Sequence, residues 1–237
     1  MLVPSMNNQE IRKELENEFN ILNNSSTIVR FYEEYHRERI RSKIKKEARH
    51  IKYFEIKTKN KNNWVFMLTK DPLKEKYHEM KDAVLQYFTY YHSSSGIRVF
   101  VIDPKGLIVV YNNHFFNRYR ERMNLDIPNL LDVVKLYKEI NYGVYFNHLP
   151  EKDGIIKTIA HVKEGFMMGE YIKAIHWYEN KTFISKATAN FTSTSLEKGY
   201  LDAMEGLFAN TKKGSVLDPD YELRMIYESM KPSGNKE

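Results

Sequence analysis

The sequence predicts an α+β protein: a helical N-terminal third, then a mostly antiparallel sheet packed against a central helix and a C-terminal helix. Three observations carry that expectation. Apolar residues recur at helical spacing through residues 7–23 and again beyond residue 26. Two apolar runs, IRVFVI and LIVVY, flank Asp103-Pro104-Lys105-Gly106, the residue order of a type I turn. Beyond residue 140, segments rich in β-branched and aromatic residues alternate with Gly, Asn and Pro.

In residues 7–23, Ile11, Leu15, Phe19 and Leu22 share one helix face. Asn23-Asn24-Ser25-Ser26 caps a second helix carrying Ile28, Phe31, Tyr32, Tyr35 and Ile40. Its second half is basic, from Arg37 to Lys52, and Arg39, Lys43 and Lys46 are candidate phosphate contacts. Glu33, Glu34, Glu38 and Glu47, interleaved with these cations, also fit an ordinary solvated face. Residues 50–56 and 64–69 read as a hairpin with a polar loop. Asp71-Pro72 reads as the N-cap and first residue of a helix running to about Tyr91, with Leu73, Tyr77, Met80, Val84, Tyr87, Phe88 and Tyr91 turned inward. Ser93-Ser94-Ser95-Gly96 ends it, and the two apolar runs follow, continuous enough to suggest strands covered on both faces.

Residues 114–123, HFFNRYRERM, form the expected central helix, with Asn113 as its N-cap. Helical spacing gathers His114, Arg118, Glu121 and Arg122 on one side and Phe115, Tyr119 and Met123 beside them. A second helix spans 129–140. Strands are expected at 144–148, 155–162, 166–176 and 181–192, with Glu179-Asn180 as a tight hairpin turn. Thr194-x-x-Glu197 resembles a capping box opening a last helix through Leu207. The expected organisation is a helical region over 1–49, an α+β core over 50–210 and a polar tail over 211–237.

Composition narrows the function classes. The 237 residues include no cysteine, which removes disulfides, thiolate nucleophiles and sulfur-ligated zinc. A cytoplasmic setting is expected, with no signal peptide and no membrane-spanning run. A formal charge of +6 favours a polyanionic partner, RNA first and DNA second. Lys, Asn and Ile content fits an AT-rich bacterial or phage genome. His148, His161 and His176 show no recognised ligand spacing, and no HExxH, phosphate-cradling glycine loop or GxSxG elbow occurs, so no metal or cofactor is expected.

Strand alternation turns Lys157 and His161 the same way, and sets Lys186, Thr188, Asn190 and Thr192 on one face. A sheet face carrying these groups opposite the His114 helix would make a cationic, hydrogen-bonding cleft. The same pattern is also what a water-facing antiparallel sheet shows.

HFFNRYRERM resembles the H-x-x-x-R-x-x-E-R pattern of small toxin-like domains in the barnase–EndoU–colicin–RelE superfamily of metal-independent ribonucleases. The likeness covers about residues 107–195: a His/Arg helix, a second helix, then a strand series. It departs from the family in the chain's greater length and the unmatched N-terminal third, and no strand residue can be assigned as the known catalytic partner. The resemblance implies RNA transesterification in which His114 exchanges a proton and Arg118, with Arg122 or Lys186, holds the scissile phosphate. His161 or His176 would be the second acid/base, and Glu121 would orient Arg118 or His114. Two other classes stay open: a non-catalytic nucleic-acid-binding protein, and an accessory protein that acts on a protein partner such as an inhibitor or host factor.

Overall fold

Trp64 to Leu68 is apolar at every position, so both faces of that strand need cover. The computed structural model describes residues 1–41, 50–70, 83–103, 106–141, 144–149, 151 and 154–185, all within a first compact unit, Met1–Ala189. It supplies that cover. The elements are α1 (Asn8–Asn23), α2 (Ser26–Arg41), β1 (Ile51–Lys57), β2 (Asn63–Lys70), β3 (Ala83–Ser93), β4 (Gly96–Ile102), β5 (Ile108–Tyr111), α3 (Asn113–Arg122), α4 (Leu130–Ile140), β6 (Tyr145–His148), β7 (Ile156–Val162), β8 (Gly165–Ile172) and β9 (Trp177–Ser185), with a 3-10 turn at Lys173–Ile175. The architecture is α+β, with the N-terminal helices preceding a mostly antiparallel sheet.

The strands form one sheet in the order β1-β2-β3-β4-β5-β9-β8-β7-β6. Two antiparallel meanders, β1 to β5 and β6 to β9, meet at one parallel pair, with Tyr111 against Asn180 and Ile108 against Trp177. On one face α1 and α2 cover Trp64, Phe66, Phe100, Val110 and Trp177. Phe31 stacks on Phe54 at 4.2 Å there. On the other face α3 and α4 cover Val65, Phe88, Val99, Tyr111, Ala160 and Phe183.

α1 begins with a capping box in which the Asn7 side chain accepts from the Gln9 and Glu10 backbone N–H groups. Buried Glu18 ties the helix to the sheet by accepting from the Trp64 indole N–H at 2.8 Å. The Asp103 turn closes as its residue order demands, the Gly106 N–H donating to the Asp103 carbonyl at 3.0 Å, with Gly106 at φ +78.

Three sequence expectations need correction. Residues 83–91 belong to strand β3 and not to a helix. Helices on both sheet faces bury alternate residues alike, which hides the two-residue period. Glu179 and Asn180 lie inside β9, and the chain reverses instead through Lys173–Ile175 and His176, whose φ is +44. The N-cap of α3 is Asn112, which accepts from the Phe115 N–H at 2.9 Å. The neighbouring Asn113 side chain instead accepts from the Ile97 N–H, fixing the start of α3 to β4. The expected helix start at Asp71-Pro72, the strand residues beyond 185, the capping box at Thr194 and the closing helix lie outside the described residues.

Candidate functional site

The α3 side chains singled out by the sequence do share a helix edge. His114, Arg118 and Glu121 are exposed, and Arg118 pairs with Glu121 at 3.0 Å. An ion pair this open to water contributes less than about 1 kcal/mol. Arg122 turns away from them and donates to the Phe183 carbonyl of β9, holding α3 on the sheet.

The strand candidates lie elsewhere. His161 is 8% exposed and meets Phe166 edge to face at 5.2 Å. Its neighbours Ala160 and Val162 face α3 and α4, so alternation sets His161, and Lys157 with it, on the opposite side of the sheet. No hollow shared by His114, Arg118 and His161 therefore forms. Lys157 is exposed, level with Glu170 across the ladder. Arg39 is no part of an open basic ridge: it is 6% exposed and hydrogen-bonded to Tyr35. Lys43, Lys46, Lys186 and Thr188 lie outside the described residues.

What the fold does assemble is a cluster of two histidines and two tyrosines. His148 ends β6, Tyr171 lies in β8, and Tyr178 lies in β9 directly opposite Tyr171. Register carries His148 to Thr158 and Tyr171 to Ile156 on the intervening β7, so these side chains share the α3/α4 face. Side chains from β6 reach those of β8 and β9 past the intervening strand or strands. His148 Nε2 lies 2.7 Å from the Tyr178 hydroxyl, and its ring stacks on Tyr171 at 4.8 Å. Phe146 stacks on Tyr178 at 4.1 Å and floors the group. The left-handed backbone at His176 returns its ring to the cluster, with Nδ1 3.1 Å from the Tyr171 hydroxyl. Both imidazoles are exposed, and the Tyr171 ring lies 6.4 Å from the His176 ring.

A groove of about 580 Å³ adjoins the cluster and shares Tyr171 with it. Ile155, Ile156 and Ile172 make its apolar wall, and Glu151, Glu170 and Lys173 its polar rim. Glu170 is engaged by Lys181 at 2.6 Å, whereas Glu151 and Lys173 have no ion-pair partner among the described residues. Among the described residues, no three His, Asp or Glu side chains converge as a metal centre requires.

At the other end of β7 and β8 from the cluster, a hydrogen-bonded layer fastens α3 and α4 to the β7–β8 turn. Tyr119 donates to Glu164, and the Asn141 amide donates to the same carboxylate at 3.2 Å. Burial, then the hydrogen bond to Glu164, pushes the Tyr119 hydroxyl well above the ordinary tyrosine range. Burial alone holds the Lys138 amine down to about 8.

Sequence reasoning named His176 and noted His148, but His148 entered no site and the two tyrosines were unmarked. The available signal was two histidines next to strand ends within an aromatic-rich stretch; the register that joins them is not written in any local spacing. No protein-family model matches the chain, and neither a curated protein nor a solved structure was found to match it.

Proposed function

We propose that the chain is a metal-independent RNA-cleaving enzyme acting in the cytoplasm, with its acid/base pair at His148 and His176. The observation that carries this reading is the paired constellation itself: two exposed imidazoles on either side of Tyr171, each hydrogen-bonded to a tyrosine hydroxyl. Cleavage by transesterification needs one group to accept the 2′-hydroxyl proton and another to give a proton to the leaving 5′-oxygen. The 2′-oxygen then bonds to phosphorus as the P–O5′ bond breaks, leaving a 2′,3′-cyclic phosphate. The tyrosine partners fix the orientation of each ring. The net positive charge of the chain favours approach of the polyanion.

The His114–Arg118 edge is a second position for phosphodiester contact, favoured by its exposure. The same aromatic group would stack unpaired bases without cutting them, which is the non-catalytic alternative.

Labelled RNA incubated with the protein in EDTA separates these. The catalytic reading expects cyclic-phosphate ends, with His148→Ala and His176→Ala each slowing cleavage by about 10² or more. Intact RNA bound in a salt-sensitive manner would instead leave a binding protein. Unchanged cleavage in both variants, with loss in His114→Ala, would move the site to α3.

A further inference from the structure

Among the buried polar side chains without a counterpart in the described residues, two border Tyr111. Asn180 is 1% exposed, yet neither its Oδ1 nor its Nδ2 finds a hydrogen-bond partner. Lys138 is 8% exposed, and none of the ion pairs found among the described residues includes it. Both meet the same residue. Lys138 Nζ lies 6.0 Å from the centre of the Tyr111 ring, and Asn180 is level with Tyr111 in the parallel β5–β9 pair.

Along β9, Tyr178 is the next residue outward on Asn180's face, and its hydroxyl meets His148. A polar row therefore runs from the exposed His148 inward through Tyr178 and Asn180 to Lys138. A buried ammonium without a counter-ion and an unbonded amide are each destabilising. An ammonium and an amide N–H that both border Tyr111, with no carboxylate offsetting the burial of the ammonium, are complementary to an oxyanion.

We propose that Lys138 and Asn180 form a phosphoryl-oxyanion subsite at the inner end of the His148–Tyr178 row. The subsite deepens the RNA reading, for it adds donors to the phosphoryl oxygens beside the acid/base pair, and its RNA arm rests on that reading. The depressed Lys138 amine agrees with it, since burial acts there with no anion to oppose it.

Titration of the full chain with inorganic phosphate at constant ionic strength, followed by the Asn180 side-chain amide signals in NMR, tests the assignment. A saturable shift is expected, and Lys138→Met should weaken phosphate binding by about tenfold or more; Asn180→Leu, which removes the reporting amide, should do the same when the titration is followed by the Tyr178 backbone amide. Lys138→Met replaces a buried charge with an apolar chain of similar length, so it keeps the fold. Absence of a saturable shift, or equal affinity in Lys138→Met, overturns the subsite. A 2′-deoxy-substituted RNA dinucleotide, which cannot be cut, decides the source of the phosphoryl group. Competition with phosphate assigns the site to RNA; failure to compete, with phosphate still bound, keeps the oxyanion subsite and removes the RNA reading.

Discussion

Lys138 shows how a single residue sets a pH dependence. Its amine is held down to about 8 in the folded chain and returns to about 10.4 on unfolding. Between those values the unfolded chain binds more protons, so this residue makes stability rise with pH across that window. Below it the charged amine is a standing penalty. Lys138→Met is therefore expected to raise stability at pH 7 by about 1–3 kcal/mol and to flatten the rise from pH 7 to 9.5. Urea denaturation of both proteins across that range measures the difference. The raised tyrosines at 111, 119 and 137 contribute stability below about pH 10 that is lost as pH rises further. They remain in both proteins, so the comparison removes them. None of this was legible in the sequence, where Lys138 is one of two lysines on an amphipathic helix. His114 and Arg118 were legible as neighbours on a helix, because helical spacing is local. Their distance from His161 was not, because strand register decides it.

At the scale of elements, most of the fold was readable. The first two helices, the β1–β2 and β4–β5 hairpins, α3, α4 and β6 to β8 stand where periodicity and turn residues place them, give or take a few residues at the ends, while β9 begins at Trp177 and runs through the pair expected as its turn. β3 was the exception. Its residues Leu85, Tyr87 and Tyr91 pack toward α1 and α2, while Phe88 and Tyr90 pack toward α3 and α4. A strand sandwiched in this way carries apolar residues on both faces, and here their spacing also satisfies a helix. The attachment of α1 was likewise hidden, since nothing local marks Glu18 as buried. Its carboxylate accepts from the Trp64 indole and from the Thr58 hydroxyl. Glu18→Ala leaves the buried indole N–H without an acceptor and is expected to cost about 2–3 kcal/mol, read as a lowered denaturation midpoint with an unchanged slope. Glu18→Gln keeps an acceptor for the indole and should recover part of the loss.

For the whole molecule, the β5–β9 pair is the joint between the two meanders, and it pairs residues far apart in the chain. No turn signal announces a parallel pairing with α3, α4 and three strands between its partners, which is why the sequence predicts a mostly antiparallel sheet but not its strand order. The alignment of that joint with the site depends on a bulge opposite Gly169, where register shifts between Met168 and Gly169. The extra residue, Lys181, lets Asn180 and Phe183 turn to the same face; simple alternation would have set them on opposite faces. A side chain at 169 would collide with the Glu179 carbonyl oxygen, so the close approach of β8 to β9 requires glycine. Gly169→Ala is expected to lower stability by about 1–3 kcal/mol. Because the bulge also sets Tyr178 against His148, the same change should shift the His148 ring signals in NMR while leaving those of Trp64, which packs in the other meander, in place. A stability loss with unshifted His148 signals would separate the joint from the cluster and leave Gly169 a packing residue alone.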